Sequence, residues 1–120
     1  MKPEYARYNC AVDAAMEVIE GRWKGTILCM LHMNGAMRFS ELQRNIGDVT
    51  SRILSKQLKE LEADHMITRS IDSAGKLKVE YALTAKGESI LPILADLAEW
   101  GIRNQCVQLI SISDVGLDPA

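Results

Sequence analysis

The chain is poor in metal-ligating and redox side chains. Its three cysteines, Cys10, Cys29 and Cys106, are widely separated and form no CxxC pair. An odd, scattered set argues against both a disulfide framework and a zinc site, and the two histidines, His32 and His65, do not complete a ligand set. No run approaches the ~20 apolar residues that a membrane span needs. The opening segment MKPEYARYNC lacks the apolar core of a secretory signal, so the expectation is a cytoplasmic protein with reduced thiols and no membrane partner. No Gly-rich phosphate loop, Ser/His/Asp set or metal spacing appears, and the carboxylates fall on solvated helix faces, which argues against an enzyme and against a cofactor. The chain also lacks an excess of positive charge: 14 Lys and Arg against 16 Asp and Glu give a net charge of −2 and a pI near 5.7.

With 120 residues, 48% apolar and 25% charged, the sequence has the size and composition of one domain over residues 1–120 with a modest core. Its charge is polarised. Arg38, Arg44, Arg52, Lys56, Lys59, Arg69, Lys76 and Lys78 gather in the middle, whereas acids crowd into Glu4 to Glu20 and Asp96 to Asp118. An acidic remainder is compatible with a specific nucleic-acid partner, because it limits sequence-independent attraction to any polyanion.

The central basic stretch, RFSELQRNIGDVTSRILSKQLKELEA, reads as two short helices joined by a tight turn over residues 40–63. Ser40 with Gln43 three residues on has the spacing of a capping box, Gly47-Asp48-Val49 makes the turn, and Thr50 or Ser51 is placed to cap the second helix. At about 100° per residue, Leu54, Leu58 and Leu61 share one face of that helix, with Ile53 and Gln57 at its margin. Arg52, Ser55, Lys56 and Lys59 take the opposite face. A helix-turn-helix lays its second helix in the major groove of DNA, with N-terminal side chains at base edges and flanking cations on phosphates. Exposed lysines are also ordinary on any soluble helix, so this face alone fits a solvated surface equally well.

Upstream, Asn9 is placed to cap a helix over residues 10–20, with Cys10 in its first turn and Val12, Ala15, Met16 and Ile19 at helical spacing before Gly21. Amides at such a terminus favour a thiolate, which makes Cys10 a candidate redox thiol. A second apolar helix starts at Trp23, carries Ile27, Leu28 and Leu31 on one face, and stops at Asn34-Gly35; Trp23 and Cys29 read as core. Ala36 to Phe39 has room only for a brief strand. Downstream, the period switches to two: residues 67–71, a turn at Asp72-Ser73-Ala74-Gly75, and alternating Leu77, Val79, Tyr81 and Leu83 predict a β-hairpin over residues 67–83. Lys76 and Lys78 sit near its tip, where they suit phosphates, or simply keep a hairpin edge soluble. Thr84 is placed to cap one long helix over residues 85–106, bent by Pro92. From Ile90 to Ile102 its apolar residues cover an arc of roughly 200°, about twice what a single core needs. The middle of that arc, Ile90, Leu94 and Leu97, is assigned to the chain's own core, and the margin carrying Ile93 and Trp100 to a second copy of the chain.

This order, α+β but mainly helical, is that of a winged helix-turn-helix with a long C-terminal dimerisation helix. Several strings go further: Gly21-Arg22-Trp23 with Ile27-Leu28 and Leu31, Arg38-Phe39-Ser40-Glu41-Leu42, Leu58-Lys59-Glu60-Leu61-Glu62, Glu80-Tyr81-Ala82-Leu83-Thr84-Ala85-Lys86-Gly87, and finally Trp100. Together, over residues 10–103, they resemble the HxlR family of bacterial transcriptional regulators. The resemblance implies a homodimeric repressor or activator that binds double-stranded DNA at an inverted-repeat operator, and that some relatives carry a redox-sensing cysteine at the position of Cys10. The expected DNA-binding residues are Arg38, Thr50, Ser51, Arg52, Ser55, Lys56, Lys59, Lys76 and Lys78. Three positions depart from the family pattern: Ala11 replaces proline, Asp48 replaces glycine, and His65 replaces a glycine; if that position needs a positive φ, His accepts it better than most residues, at some cost. The rival reading is a winged-helix protein-interaction module, since fold does not fix function. A redox or small-molecule signal stays open.

Overall fold

The computed structural model describes residues 10–72 and 78–104. Asn9, the turn residues Ser73, Ala74 and Gly75, and Lys76, Leu77 and Cys106, named above, lie outside them. The elements are α1 (Ala11–Ile19), α2 (Lys24–Asn34), α3 (Phe39–Ile46), α4 (Ser51–Ala63), β1 (Ile67–Asp72), β2 (Lys78–Leu83), α5 (Ala85–Ser89) and α6 (Leu91–Arg103). The architecture is the expected one, mainly helical with one small antiparallel sheet.

The core forms where α2, α3 and α4 meet. Ile27, Leu28 and Leu31 of α2, Leu42 of α3, and Leu54, Leu58 and Leu61 of α4 are buried together with Met37, Val49, Met66 and Ile67. Trp23 packs against this cluster but immediately precedes α2 as its N-cap instead of beginning the helix. In α1 only Val18 and Ile19 reach the core, while Val12 and Met16 are exposed. Cys10, expected in the first turn behind an Asn9 cap, is instead the N-cap residue of α1, and its side chain is exposed.

α3 starts one residue before the expected cap. Arg38 occupies the N-cap position, and its backbone N–H donates to Glu41 Oε1 at 2.9 Å, so Glu41 rather than Gln43 closes the first turn. Ser40 is already inside the helix. Because Phe39 is helical, the brief strand expected at Ala36 to Phe39 shrinks to a single bridge between Met37 and Tyr81. The expected hairpin is present, with Ile67 opposite Leu83, and Asp72, expected in the turn, ends β1 opposite Lys78.

The end of α4 is locked to the start of α5. His65 adopts φ 61°, so the position does need the positive φ that a glycine takes freely. This residue allows the Met66 N–H to reach Leu61 O at 2.9 Å and the His65 N–H to reach Glu62 O at 3.0 Å, the pair of bonds of a Schellman C-cap. From the other side, the Thr84 hydroxyl donates to His65 O at 2.6 Å and accepts the Gly87 N–H at 3.0 Å, and Lys86 Nζ donates to Asp64 O at 2.9 Å. Gly87 has to be glycine: a Cβ there would lie 2.1 Å from Met66 O. The string Thr84-Ala85-Lys86-Gly87 is therefore a clasp on the loop that follows α4.

The single long C-terminal helix is in fact two. Pro92 has no amide to donate and its ring would strike the carbonyl of Glu88, so the helix breaks at Ile90 and restarts with Pro92 in the first turn of α6. Leu91 and Ala95 of α6 are buried, with Cys29 of α2 packed beside them. Leu97 does not face the core as expected. It is 48% exposed and shares an outer apolar face with Ile93 (58%) and Trp100 (60%), because α6 rests on α2 through the opposite side of the helix.

Candidate nucleic-acid interface

The geometry of α4 follows from three local devices. Gly47, at φ 93°, ends α3 and turns the chain sharply. Gln43 then reaches across the turn and donates to Ser51 Oγ at 3.0 Å and to Val49 O at 3.3 Å. Finally the Thr50 hydroxyl accepts the Ile53 N–H at 3.1 Å and caps the helix. Asp48, the departure from the family pattern, lies exposed in this turn without disturbing the cap. With Leu54, Leu58 and Leu61 turned inward, Arg52, Lys56 and Lys59 stand exposed and Ser55 is half-buried beside them.

These four residues and Glu60 line one shallow open concavity on the outer side of α4. Thr50 and Ser51 are exposed at its N-terminal end, the Thr50 hydroxyl accepting the capping bond from Ile53 N–H and the Ser51 hydroxyl a bond from the Gln43 side chain. Arg38 is half-buried at the head of α3, and Lys78 is half-buried at the start of β2. Thr50, Ser51, Arg52, Ser55, Lys56 and Lys59 thus fall on α4 and its cap, while Arg38 belongs to the N-cap of α3 and Lys78 to the hairpin.

Glu60 is the acid in this basic setting, and its partner was not anticipated from sequence. Lys24 of α2, only 4% exposed, places Nζ 2.8 Å from Glu60 Oε1. That hydrogen bond, and then the charges of Lys24 and Lys56, hold the Glu60 carboxyl below the usual carboxylate range, although partial desolvation opposes them. A signal for the buried lysine existed, though not for its partner. Lys24 stands at position i of the stripe completed by Ile27, Leu28 and Leu31 at i+3, i+4 and i+7, and Gln57 occupies the matching phase beside Leu54, Leu58 and Leu61. Polar residues at core phases need partners. Gln57 is buried, and its Oε1 finds no hydrogen-bond partner among the described residues.

Elsewhere, His32 Nδ1 lies 3.4 Å from Glu88 Oε2 and links α2 to α5 on the surface. Burial pushes the Cys29 thiol up, which keeps it protonated and unreactive against α6. Among the described residues no cluster of three or more His, Cys, Asp and Glu is placed to hold a metal, and no helix is long and apolar enough to cross a membrane.

A two-helix unit with a cationic outer face, followed by a hairpin wing, defines a DNA-binding winged helix-turn-helix of the kind used in transcription regulation. The family model described as HxlR-like helix-turn-helix matches residues 18–108. An uncharacterised HTH-type transcriptional regulator of Methanothermobacter thermautotrophicus is 45% identical over 94 residues, which cover 78% of this chain and 71% of the relative. Among solved structures, the HTH-type regulator YtcD superposes with a TM-score of 0.74 at 41% identity, covering 82% of this chain and 99% of that one. The redox regulator HypR in its reduced form gives a TM-score of 0.70 at 39% identity, covering 80% and 94%. The chain belongs to the HxlR family of helix-turn-helix transcription regulators. That family and its named relatives are transcription regulators, not enzymes.

The Lys24–Glu60 pair makes a pH prediction. Because the folded-state carboxyl titrates below its ordinary value of about 4.3, Glu60 contributes stability above that value and loses it as the pH falls through the lower, folded-state value. Urea midpoints of wild type and Glu60→Gln should therefore differ at pH 7 and converge once the pH falls below the lowered folded-state value. A difference independent of pH would contradict the assignment.

Proposed function

We propose that the chain regulates transcription in the cytoplasm as a homodimer on an inverted-repeat operator, with α4 in the major groove and the β1–β2 hairpin on flanking phosphates. One observation carries this reading: burial of the leucine face of α4 leaves Arg52, Lys56 and Lys59 exposed on the opposite side of a capped helix. Arg52, Ser55 and Lys56, nearest the capped end that holds Thr50 and Ser51, are the base-reading candidates. Lys59, Arg38, Lys78 and Lys76 are assigned to phosphates. The rival of a protein-interaction module is disfavoured because the named relatives of this chain are transcription regulators.

Arg52→Ala and Lys56→Ala should each cost about 1 to 3 kcal/mol in operator affinity while changing random-duplex affinity far less. Lys76→Ala and Lys78→Ala should weaken both duplexes alike and flatten the salt dependence. Fluorescence anisotropy with both duplexes across a salt series measures this, and unchanged affinities in all four variants would refute the placement of the site.

The outer face of α6 supports the homodimer. Ile93, Leu97 and Trp100 put three large apolar side chains on one exposed surface, which a two-fold contact with an identical surface removes from water. Trp100→Asp or Ile93→Asp should sediment as a folded monomer with much weaker operator binding. An unaltered dimer in both, or a wild-type monomer at micromolar concentration, contradicts the assignment.

Thiol control is a second reading, favoured by the exposed position of Cys10 at the head of α1 and by the relatedness to HypR, a redox regulator. Diamide should then form a Cys10 adduct and alter operator affinity in wild type but not in Cys10→Ser. Equal affinity before and after treatment rules it out.

A further inference from the structure

The acid on the cationic face of α4 poses a problem that the buried lysine of α2 solves. Lys56 and Glu60 are four residues apart on one helix, the spacing at which opposite charges meet side by side. Both line the concavity with Arg52 and Lys59. Left to themselves, they would neutralise each other, and Lys56 would be withdrawn from a polyanionic ligand. Instead the Glu60 carboxylate is bonded at 2.8 Å to Lys24, from beneath the helix, and the Lys56 charge acts on it only as the weakest of the attractions.

We infer that Lys24 is a positioning residue for DNA binding: its buried ammonium occupies Glu60 and so leaves Lys56 available to phosphates. The inference rests on the reading of α4 as the DNA-facing helix. Lys24 is held in place for this task. It follows the α1–α2 turn, where Gly21 at φ 141° packs so tightly that a Cβ would lie 3.2 Å from Lys24 Cδ and 2.5 Å from Gln57 Oε1. A buried ammonium has no other charge partner here, since Glu60 is the carboxylate that reaches it among the described residues. The cationic strength of the recognition surface is therefore set partly by a residue that does not touch DNA.

The test is a charge-reversal cycle read by DNA binding across a salt series. Lys24→Met should bind an operator and a random duplex alike about tenfold more weakly, with a salt slope shallower by about one, the loss of one phosphate contact. Lys24→Met combined with Glu60→Gln should recover both affinity and slope, because the competing carboxylate is gone, and Lys24→Arg should retain both. A lysine that served only to stabilise the core would show no such recovery. If Lys24→Met fails to fold, Glu60→Gln alone decides: it should bind all DNA at least as tightly as wild type with an unchanged slope. Weaker binding in Glu60→Gln, or a double variant no tighter than Lys24→Met, overturns the inference. Arg52→Ala and Lys56→Ala separate the two levels: if they weaken binding while the cycle fails, only the role of Lys24 falls, and if they too have no effect, the placement of α4 on DNA falls with it.

Discussion

Burial of Leu54, Leu58 and Leu61 against α2 and α3 is the constraint from which the rest of this molecule follows. The three leucines are no more than 1% exposed, and at i, i+4 and i+7 they fix the rotation of α4 about its own axis. That rotation in turn fixes where Arg52, Lys56 and Lys59 point. Removing a buried leucine typically costs about 2 to 5 kcal/mol, a large share of the roughly 5 to 15 kcal/mol that holds a domain together. Packing at the back of the helix and presentation at the front are thus one property.

Two joints transmit this constraint. At the front of α4, Gly47, Gln43 and Thr50 set the angle between α3 and α4 with side-chain bonds across the turn. At the back, the Schellman cap at His65 and the clasp of Thr84, Lys86 and Gly87 bind the helix end to the point where the hairpin returns. The hairpin is tied in further by the bridge from Tyr81 to Met37, just ahead of α3. Helix and wing therefore belong to one rigid frame, which a nucleic-acid surface needs if base-reading and phosphate-gripping groups are to keep a fixed register.

Much of the fold was legible in the sequence because it is written in periodicity. The leucine stripe of α4, the switch to period two at Ile67 and the Thr50 and Thr84 caps each have a local signature, and each is present in the structure. What escaped were decisions made by tertiary contact or by backbone competition. Arg38 displaces Ser40 as cap because Glu41 bonds to it, and the two residues carry no stronger local signal than the Ser40 and Gln43 pair. The break at Ile90 follows from Pro92, whose presence suggested only a bend. Leu97 sits near the middle of an apolar arc that looks continuous on a helical wheel, yet α6 rests on the side carrying Leu91 and Ala95, so the arc is split into an inner and an outer face. For the candidate site, the exposed cations were evident from their spacing, but the pairing of Lys24 with Glu60 joins residues 36 positions apart in sequence and is visible only once α2 and α4 are packed.

The central claim is that the outer face of α4, with the hairpin beside it, is the surface that meets DNA. Backbone amide chemical shifts recorded while an operator selected from a random pool is titrated into the protein test this most directly. The account predicts that the largest changes fall on Thr50 to Lys59, with a second group in β1 and β2, and that the Ile93 to Trp100 face of α6 changes little. Changes concentrated on α6 or α1, with α4 unaffected, would contradict it.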